Sequence, residues 1–252
     1  MSVAPMPMNE RRLYRKLTVN TNQQQINIRP IIKGAIKEGA QTMKEAYSKN
    51  SILEWCGHKI DEQRQSRFLY TLFKQVINKA SLQSRDFAVQ AEGCKGVMVW
   101  STNTEGCPGP CLLGIAKLAG LIGWTAALKT LVKLQPAIDK MRKKVIFKYE
   151  RCLTIGYIGV LPQEQRKGLG SALLQYVLER ADVSHYTVLA EITDQKTIPF
   201  FEAHGFKIEQ KTYINKCQDL PVILMVRTPI ETGEPLQPLY VRPGRRDSNY
   251  IL

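Results

Sequence analysis

Apolar residues return along this chain at two different periods, and the changes of period mark its elements. Residues 1–25 hold neither period and end in the polar run NTNQQQ, so they are expected to form a flexible arm. In INIRPII, Ile26, Ile28 and Pro30 alternate with polar positions, which is the pattern of a half-buried strand. GAIKEGAQTMKEAYSK follows with Ala40, Met43 and Tyr47 at spacings of three and four, predicting a helix. SILEWCGH fits either pattern. DEQRQSRFLYTLFKQVINKA predicts a longer helix, with Phe68, Leu69, Leu72, Phe73 and Val76 on one face and Asp61 at its start. DFAVQAEG and KGVMVWST read as a hairpin turning at Gly93, and TEGCPGP reads as a loop.

Residues 111–144 are mostly helical in pattern and increasingly basic, with Pro136 dividing two helices. Their KMRKK segment, 140–144, is expected to be a solvated basic face. RCLTIGYIGVLP, 151–162, predicts a strand whose glycines suit a bulge or a close backbone approach. A helix to about Asp182 comes next, with Leu169, Ala172, Leu173, Tyr176, Val177 and Ala181 as its buried face. YTVLAEIT is a strand, TIPFFEAHG a short helix ending on Gly205, and FKIEQKTYI and LPVILMVRTP two closing strands. The order predicts a mixed α/β domain over 26–228, with a partly antiparallel central sheet and a helical insertion at about 111–144. Residues 229–252 are expected to be an extended, mobile tail.

Charge adds one constraint. Lys and Arg number 36 against 22 acids, a formal net charge of +14, which favours anionic partners. Nucleic acid is the weaker option, because no DNA-binding helix pattern or aromatic-basic interleaving accompanies the charge. The six cysteines, Cys56, Cys94, Cys107, Cys111, Cys152 and Cys217, form no paired CxxC frame, and His58, His185 and His204 show no metal spacing. Reduced thiols, no metal and a cytoplasmic location are therefore expected. The apolar run 111–128 is interrupted by Lys117 and falls short of the roughly 20 residues of a membrane span, so a buried or interfacial helix is expected there.

The chemistry gathers in QEQRKGLGSALL, 163–174, a glycine-bearing basic turn between a strand and an amphipathic helix. The first N–H groups of a helix have no partner inside it and carry the positive end of its dipole. Glycines let backbone wrap an anion closely, so a phosphate or pyrophosphate is the natural guest. Leu173 stands where GxGxxG needs its third glycine, and the P-loop's Lys-Ser/Thr is absent. What remains is V-x-P-x-x-Q-x-x-G-x-G, formed by Val160, Pro162, Gln165, Gly168 and Gly170.

On these residues IGVLPQEQRKGLGSALLQYVLERAD resembles the acetyl-CoA-binding motif of the GNAT N-acetyltransferases. AEIT and TIPFFEAHGFKI are similar to the strand, short helix and closing strand that follow it in that family. The resemblance spans about residues 26–228 and is weakest over 102–150. It implies the GNAT fold, acetyl-CoA as co-substrate and a primary amine, small molecule or protein, as acceptor, with direct attack in a ternary complex. A homodimer is compatible with it. It further implies that backbone groups of Ile158, Gly159 and Val160 pair with the pantetheine arm. The amides of Gln165, Arg166, Lys167, Gly168, Leu169, Gly170 and Ser171 would hold the pyrophosphate, and the helix bearing Thr197 and Phe201 would flank the thiol end.

Direct transfer asks for alignment of amine and carbonyl, an N–H for the developing oxyanion, and proton transfers from the amine and to the thiolate. The bulged strand at 158–160 is expected to offer the N–H. Many relatives place Tyr where Phe201 stands and Asn where Thr197 stands, so the usual acid is missing. Glu191 is the candidate base, with a structurally paired carboxylate as the competing reading. Tyr213 is the candidate acid, Tyr157 is expected in the core, and His204 as a cap. Trp55 and Trp100 are expected near an acceptor pocket or, for Trp100, in the core. The rival function is a GNAT-fold acyl-CoA-binding protein without turnover.

Overall fold

Residues that alternate and residues that return every third or fourth position separate cleanly in the computed structural model, which describes residues 26–56, 61–102, 112–123, 135–149, 151–214 and 220–230. The elements are β1 (Ile28–Pro30), α1 (Ile36–Ala46), α2 (Ser51–Cys56), α3 (Glu62–Gln83), β2 (Ala88–Ala91), β3 (Gly96–Ser101), α4 (Leu112–Ile122) and α5 (Gln135–Lys148). They continue with β4 (Cys152–Val160), α6 (Leu169–Val183), β5 (Thr187–Ile192), α7 (Ile198–Glu202), β6 (Lys207–Tyr213) and β7 (Pro221–Arg227). The expected arm 1–25, the TEGCPGP loop, His58, Cys107, Cys111, Cys217 and the tail from 231 lie outside the described residues.

The strands form one sheet in the order β1-β2-β3-β4-β5-β7-β6. Every neighbouring pair is antiparallel except β4 and β5, which α6 joins as a crossover. The last strand, β7, is inserted between β5 and β6.

Both faces are covered. α1 and α3 lie on one: a Cβ on Gly39 of α1 would stand 3.2 Å from Ile31, 3.4 Å from Ile77 and 3.6 Å from Val97. α6 lies on the other, where Leu173 approaches Gly96 of β3. A second cluster joins Ile52 and Cys56 of α2, Met141 and Val145 of α5, and Leu189, Val222, Leu224 and Val226 of the sheet. α3 starts as its sequence predicts, with Asp61 Oδ1 accepting from the Arg64 N–H at 2.8 Å, and its apolar stripe is buried. Gly205 follows α7 at φ +85°, a left-handed backbone that suits glycine. At the end of β7, Arg227 donates to both carboxyl oxygens of Asp182, at 2.7 and 2.8 Å, and so ties the strand to the end of α6.

Pro136 stands in the first turn of α5, after the separate helix α4, as a residue that divides two helices would, and its missing N–H costs nothing there. Three details differ from the sequence reading. The buried face of α6 includes Leu174 and Leu178, while Ala172 and Tyr176 are half-buried, because the helix lies across several strands and the Arg180 guanidinium covers the Tyr176 ring at 3.5 Å. KMRKK is not wholly a solvated face: Lys140, Lys143 and Lys144 are exposed, but Arg142 lies on the buried side with Met141 and Val145. The strand irregularity lies at Gly156, upstream of 158–160, since pairing steps from Trp100 opposite Ile155 to Val99 opposite Tyr157 and leaves Gly156 as the extra residue.

Gly159 shows how closely α1 rides on β4. A Cβ there would meet Met43 Sδ at 2.8 Å and Ala46 Cβ at 2.9 Å. Met43 can swing aside, but Ala46 cannot. Gly159→Ala is expected to lower stability by about 1–3 kcal/mol in urea denaturation with an unchanged slope, and an unaltered midpoint would refute this packing.

Candidate active site

β4 and β5 are paired only from Cys152 opposite Thr187 to Ile155 opposite Ala190. Beyond that point β4 continues beside β3 alone, as far as Val160 opposite Gly96. Backbone groups of a strand face its two edges alternately. The Leu161 N–H donates to the Lys95 carbonyl on the β3 side, at 2.9 Å, so Gly159 shares that side. Ile158 and Val160 then face the open edge, and side chains meet them there. The Tyr47 hydroxyl accepts from the Ile158 N–H at 3.3 Å and donates to the Ile158 carbonyl at 3.2 Å. Gln165 Nε2 donates to the Val160 carbonyl at 3.3 Å. Across the gap, Asn50 Nδ2 donates to Thr193 Oγ1 just beyond β5, at 2.9 Å. The turn from Tyr47 to Asn50 therefore spans the two diverging strands.

At the far end of β4 lies the glycine-bearing turn. Arg166 and Gly168 both have left-handed backbones, at φ +64° and +84°, and Gly168 is the N-cap of α6 without any side-chain cap. The Ala172 N–H bonds the Gly168 carbonyl, so the amides of Leu169, Gly170 and Ser171 precede the first helical bond. Residues 165–168 are exposed and Leu169 is buried beneath them. The result is a concave run of N–H groups at the positive end of a 15-residue helix. Lys167 Nζ bonds Glu164 at 3.0 Å, and that hydrogen bond, with the charges of Lys167 and Lys95, holds the carboxyl below its ordinary value. Phe200 borders the cradle: a Cβ on Gly170 would stand 3.6 Å from its ring and 3.8 Å from Val160.

The remaining candidates fall around this gap unevenly. Glu191 is on β5, two residues before Thr193, and its Oε1 accepts from Nε and Nη2 of Arg142. Arg142 is buried, with 7% of its side chain exposed, and Glu191 is half-buried at 14%, while Asp139 bonds the same guanidinium at 3.0 Å. Burial raises the Glu191 pKa, the Arg142 charge and hydrogen bond oppose the rise, and Asp139 adds to it. The Thr197 hydroxyl is spent on the Asp194 carbonyl at 2.7 Å. Phe201 is buried between Phe200 and Phe206, edge to face with each. Tyr213 is not brought to the gap. It is half-exposed at the end of outer strand β6, the third strand from β4 and about 14 Å across the sheet.

Tyr157 packs edge to face on Phe73 and Tyr47. Trp100 is fully buried against Phe87, and Trp55 packs half-buried on the second cluster. His204 Nδ1 lies 2.7 Å from the Phe200 carbonyl, as a cap would. Burial pushes the Cys94 and Cys152 thiols up to about 11, helped at Cys94 by Glu38, so neither is a nucleophile at neutral pH. Among the described residues no cluster of three or more His, Cys, Asp or Glu could hold a metal ion, and no helix is long and apolar enough to cross a membrane.

Sequence reasoning missed Tyr47, Asn50, Arg142 and Phe200. Tyr47 did end the apolar stripe of α1, and Arg142 did sit between Met141 and Val145, but neither pattern says what such residues touch.

This arrangement has close counterparts. A family model described as an acetyltransferase (GNAT) domain matches residues 138–208, from α5 to the start of β6. An uncharacterized N-acetyltransferase of Schizosaccharomyces pombe is 21% identical over 203 residues, covering 77% of this chain and 79% of its own. The fold matches a crystal structure described as histone acetyltransferase HPA2 and related acetyltransferase, from Corynebacterium glutamicum, with a TM-score of 0.55 and 18% identity over 81% of this chain and 97% of that one. It also matches a polyamine N-acetyltransferase of Drosophila melanogaster, with a TM-score of 0.55 and 16% identity over 81% and 100%. Residues 138–208 thus match the acetyltransferase (GNAT) family model, and the chain shares its fold with these solved acetyltransferases.

The buried ion pair predicts a pH signature. Because the folded-state pKa of Glu191 is raised, the group destabilises the fold as pH climbs above the ordinary carboxylate range. Arg142 offsets that cost. Arg142→Gln is expected to cost about 3–5 kcal/mol at pH 8, where Glu191 is left charged and buried, and clearly less at pH 5, where it takes up a proton. Equal losses at both pH values in urea denaturation would contradict this account.

Proposed function

We propose that the chain transfers the acetyl group of acetyl-CoA to a primary amine by direct attack in a ternary complex. The observation that supports this best is the continuity of two backbone features. The open edge of β4 leads straight into the uncapped N-terminus of α6, so an extended arm and a pyrophosphate would meet their partners in sequence. In this reading the free-edge groups of Ile158 and Val160 pair with the arm, and Gly159 lets α1 approach behind it. The amides from Gln165 to Ser171 face the phosphates, with the charges of Arg166 and Lys167 beside them. Thr197 and Phe201 act through the placement of α7, with Phe200 as the ring nearest the cradle.

Acetyl-CoA supplies an activated acyl group, so the protein's share is alignment, an N–H for the carbonyl oxygen and proton management. The Ile158 N–H is the donor on the open edge. Glu191 would serve as base through the carboxyl oxygen that Arg142 does not hold, and its raised pKa moves it toward the value that suits a base at neutral pH. The acceptor would enter on the face bearing α1, α2 and α5, where Glu191 and the Tyr47–Asn50 turn lie. Polyamines and arylalkylamines are rational members of a test panel, since folds of this shape include a polyamine and an arylalkylamine N-acetyltransferase.

Gly168→Glu tests the donor site. Its φ is unfavourable to any side chain, and a carboxylate there would occupy the cradle and repel phosphate. Calorimetry is expected to show acetyl-CoA affinity reduced by about 100-fold or more, while equal affinities would remove the basis of the proposal. Thiol release across an amine panel then separates transferase from silent binder, which would show saturable binding and no thiol.

A further inference from the structure

We propose that Tyr47 is a catalytic acid of this transfer, giving its phenolic proton to the departing sulfur; the proposal rests on the acetyl-CoA reading above. Phe201 has no proton to give and is buried between Phe200 and Phe206. Tyr47 brings a hydroxyl to that edge, bonded to both backbone groups of Ile158. Its position is held from three directions. The ring lies tilted on Phe73 at 5.0 Å and near-perpendicular to Tyr157 at 6.0 Å. Its own N–H closes the last turn of α1 on the Met43 carbonyl at 3.0 Å. The following turn is pinned to the other strand through Asn50 and Thr193.

An arm that pairs with the open edge takes over the Ile158 groups. The hydroxyl is then released from the carbonyl it now serves and can turn its proton to a new acceptor. In the step itself the amine nitrogen bonds the acetyl carbonyl carbon, and the C–S bond breaks with its electron pair on sulfur. Tyr47 Oη gives sulfur a proton. The amine sheds one proton to Glu191, which passes it to water, and the phenolate regains one from water, so the net products are the amide and the thiol.

Tyr47→Phe removes only the hydroxyl and keeps the ring against Phe73 and Tyr157. Hydroxylamine as acceptor avoids dependence on the unidentified amine. Three results are expected. Calorimetric affinity for acetyl-CoA stays within about threefold of wild type, as does the urea midpoint. Thiol release falls about 100-fold in kcat. The alkaline limb that a titrating phenol gives the kcat profile disappears. Unchanged kcat, or a loss mirrored in affinity and midpoint, would overturn the acid role while leaving the transferase reading intact. A wild type that binds acetyl-CoA yet releases no thiol to hydroxylamine would overturn both, and a wild type that does not bind it would overturn the donor site itself.

Discussion

Everything at the candidate site follows from one departure: two parallel strands that pair for four residues and then separate. Buried or semi-buried backbone groups need partners. A strand that leaves its neighbour must find substitutes or hold a place for a ligand. Here the substitutes come from opposite ends, Tyr47 from the helical face and Gln165 from the glycine turn. The gap is thus a defined edge with side chains on loan to it. Binding along it is an exchange of hydrogen bonds, and its cost depends on how readily two polar side chains give up their positions.

The two sides of the gap use different physics. The glycine cradle relies on backbone dipoles, which need no titrating group and retain their strength across a wide pH range. The face bearing α5 places a carboxylate and a guanidinium largely out of water, where their separate desolvation costs are large and their pairing is what makes the arrangement tolerable. pH therefore bears mainly on Glu191 and its neighbours, not on the cradle.

Much of the fold was legible because period and punctuation agree. The stripe of α3 with Asp61 before it, the hairpin of β2 and β3, and Gly205 after α7 each joined a hydrophobic pattern to a residue suited to the boundary. The cradle was legible because glycines at 168 and 170 are local features that act through backbone. What escaped was long-range. Arg142 read as one more cation in KMRKK, since no local signal reveals a carboxylate on a strand 49 residues away. Tyr47 read only as the last member of a helical stripe, because such spacing places a ring and says nothing of its hydroxyl. Tyr213 seemed usable until the strand order put β7 between β5 and β6. The bulge was expected from the glycines of β4, but only pairing could assign it to Gly156.

That strand order also bears on how the protein is made. β7 is the last strand in the chain, yet it occupies an interior place and pairs on both sides. Until it emerges, β5 presents a bare edge rich in Val, Leu, Ala and Ile, and β6 has no partner in the sheet. The cradle and the gap can form earlier from β4, α6 and β5. A ribosome-bound chain would therefore pass through a stage with its glycine cradle assembled and an adhesive strand exposed, the stage at which misassociation threatens most. Closing it falls to a single seven-residue insertion, locked by Arg227 on Asp182.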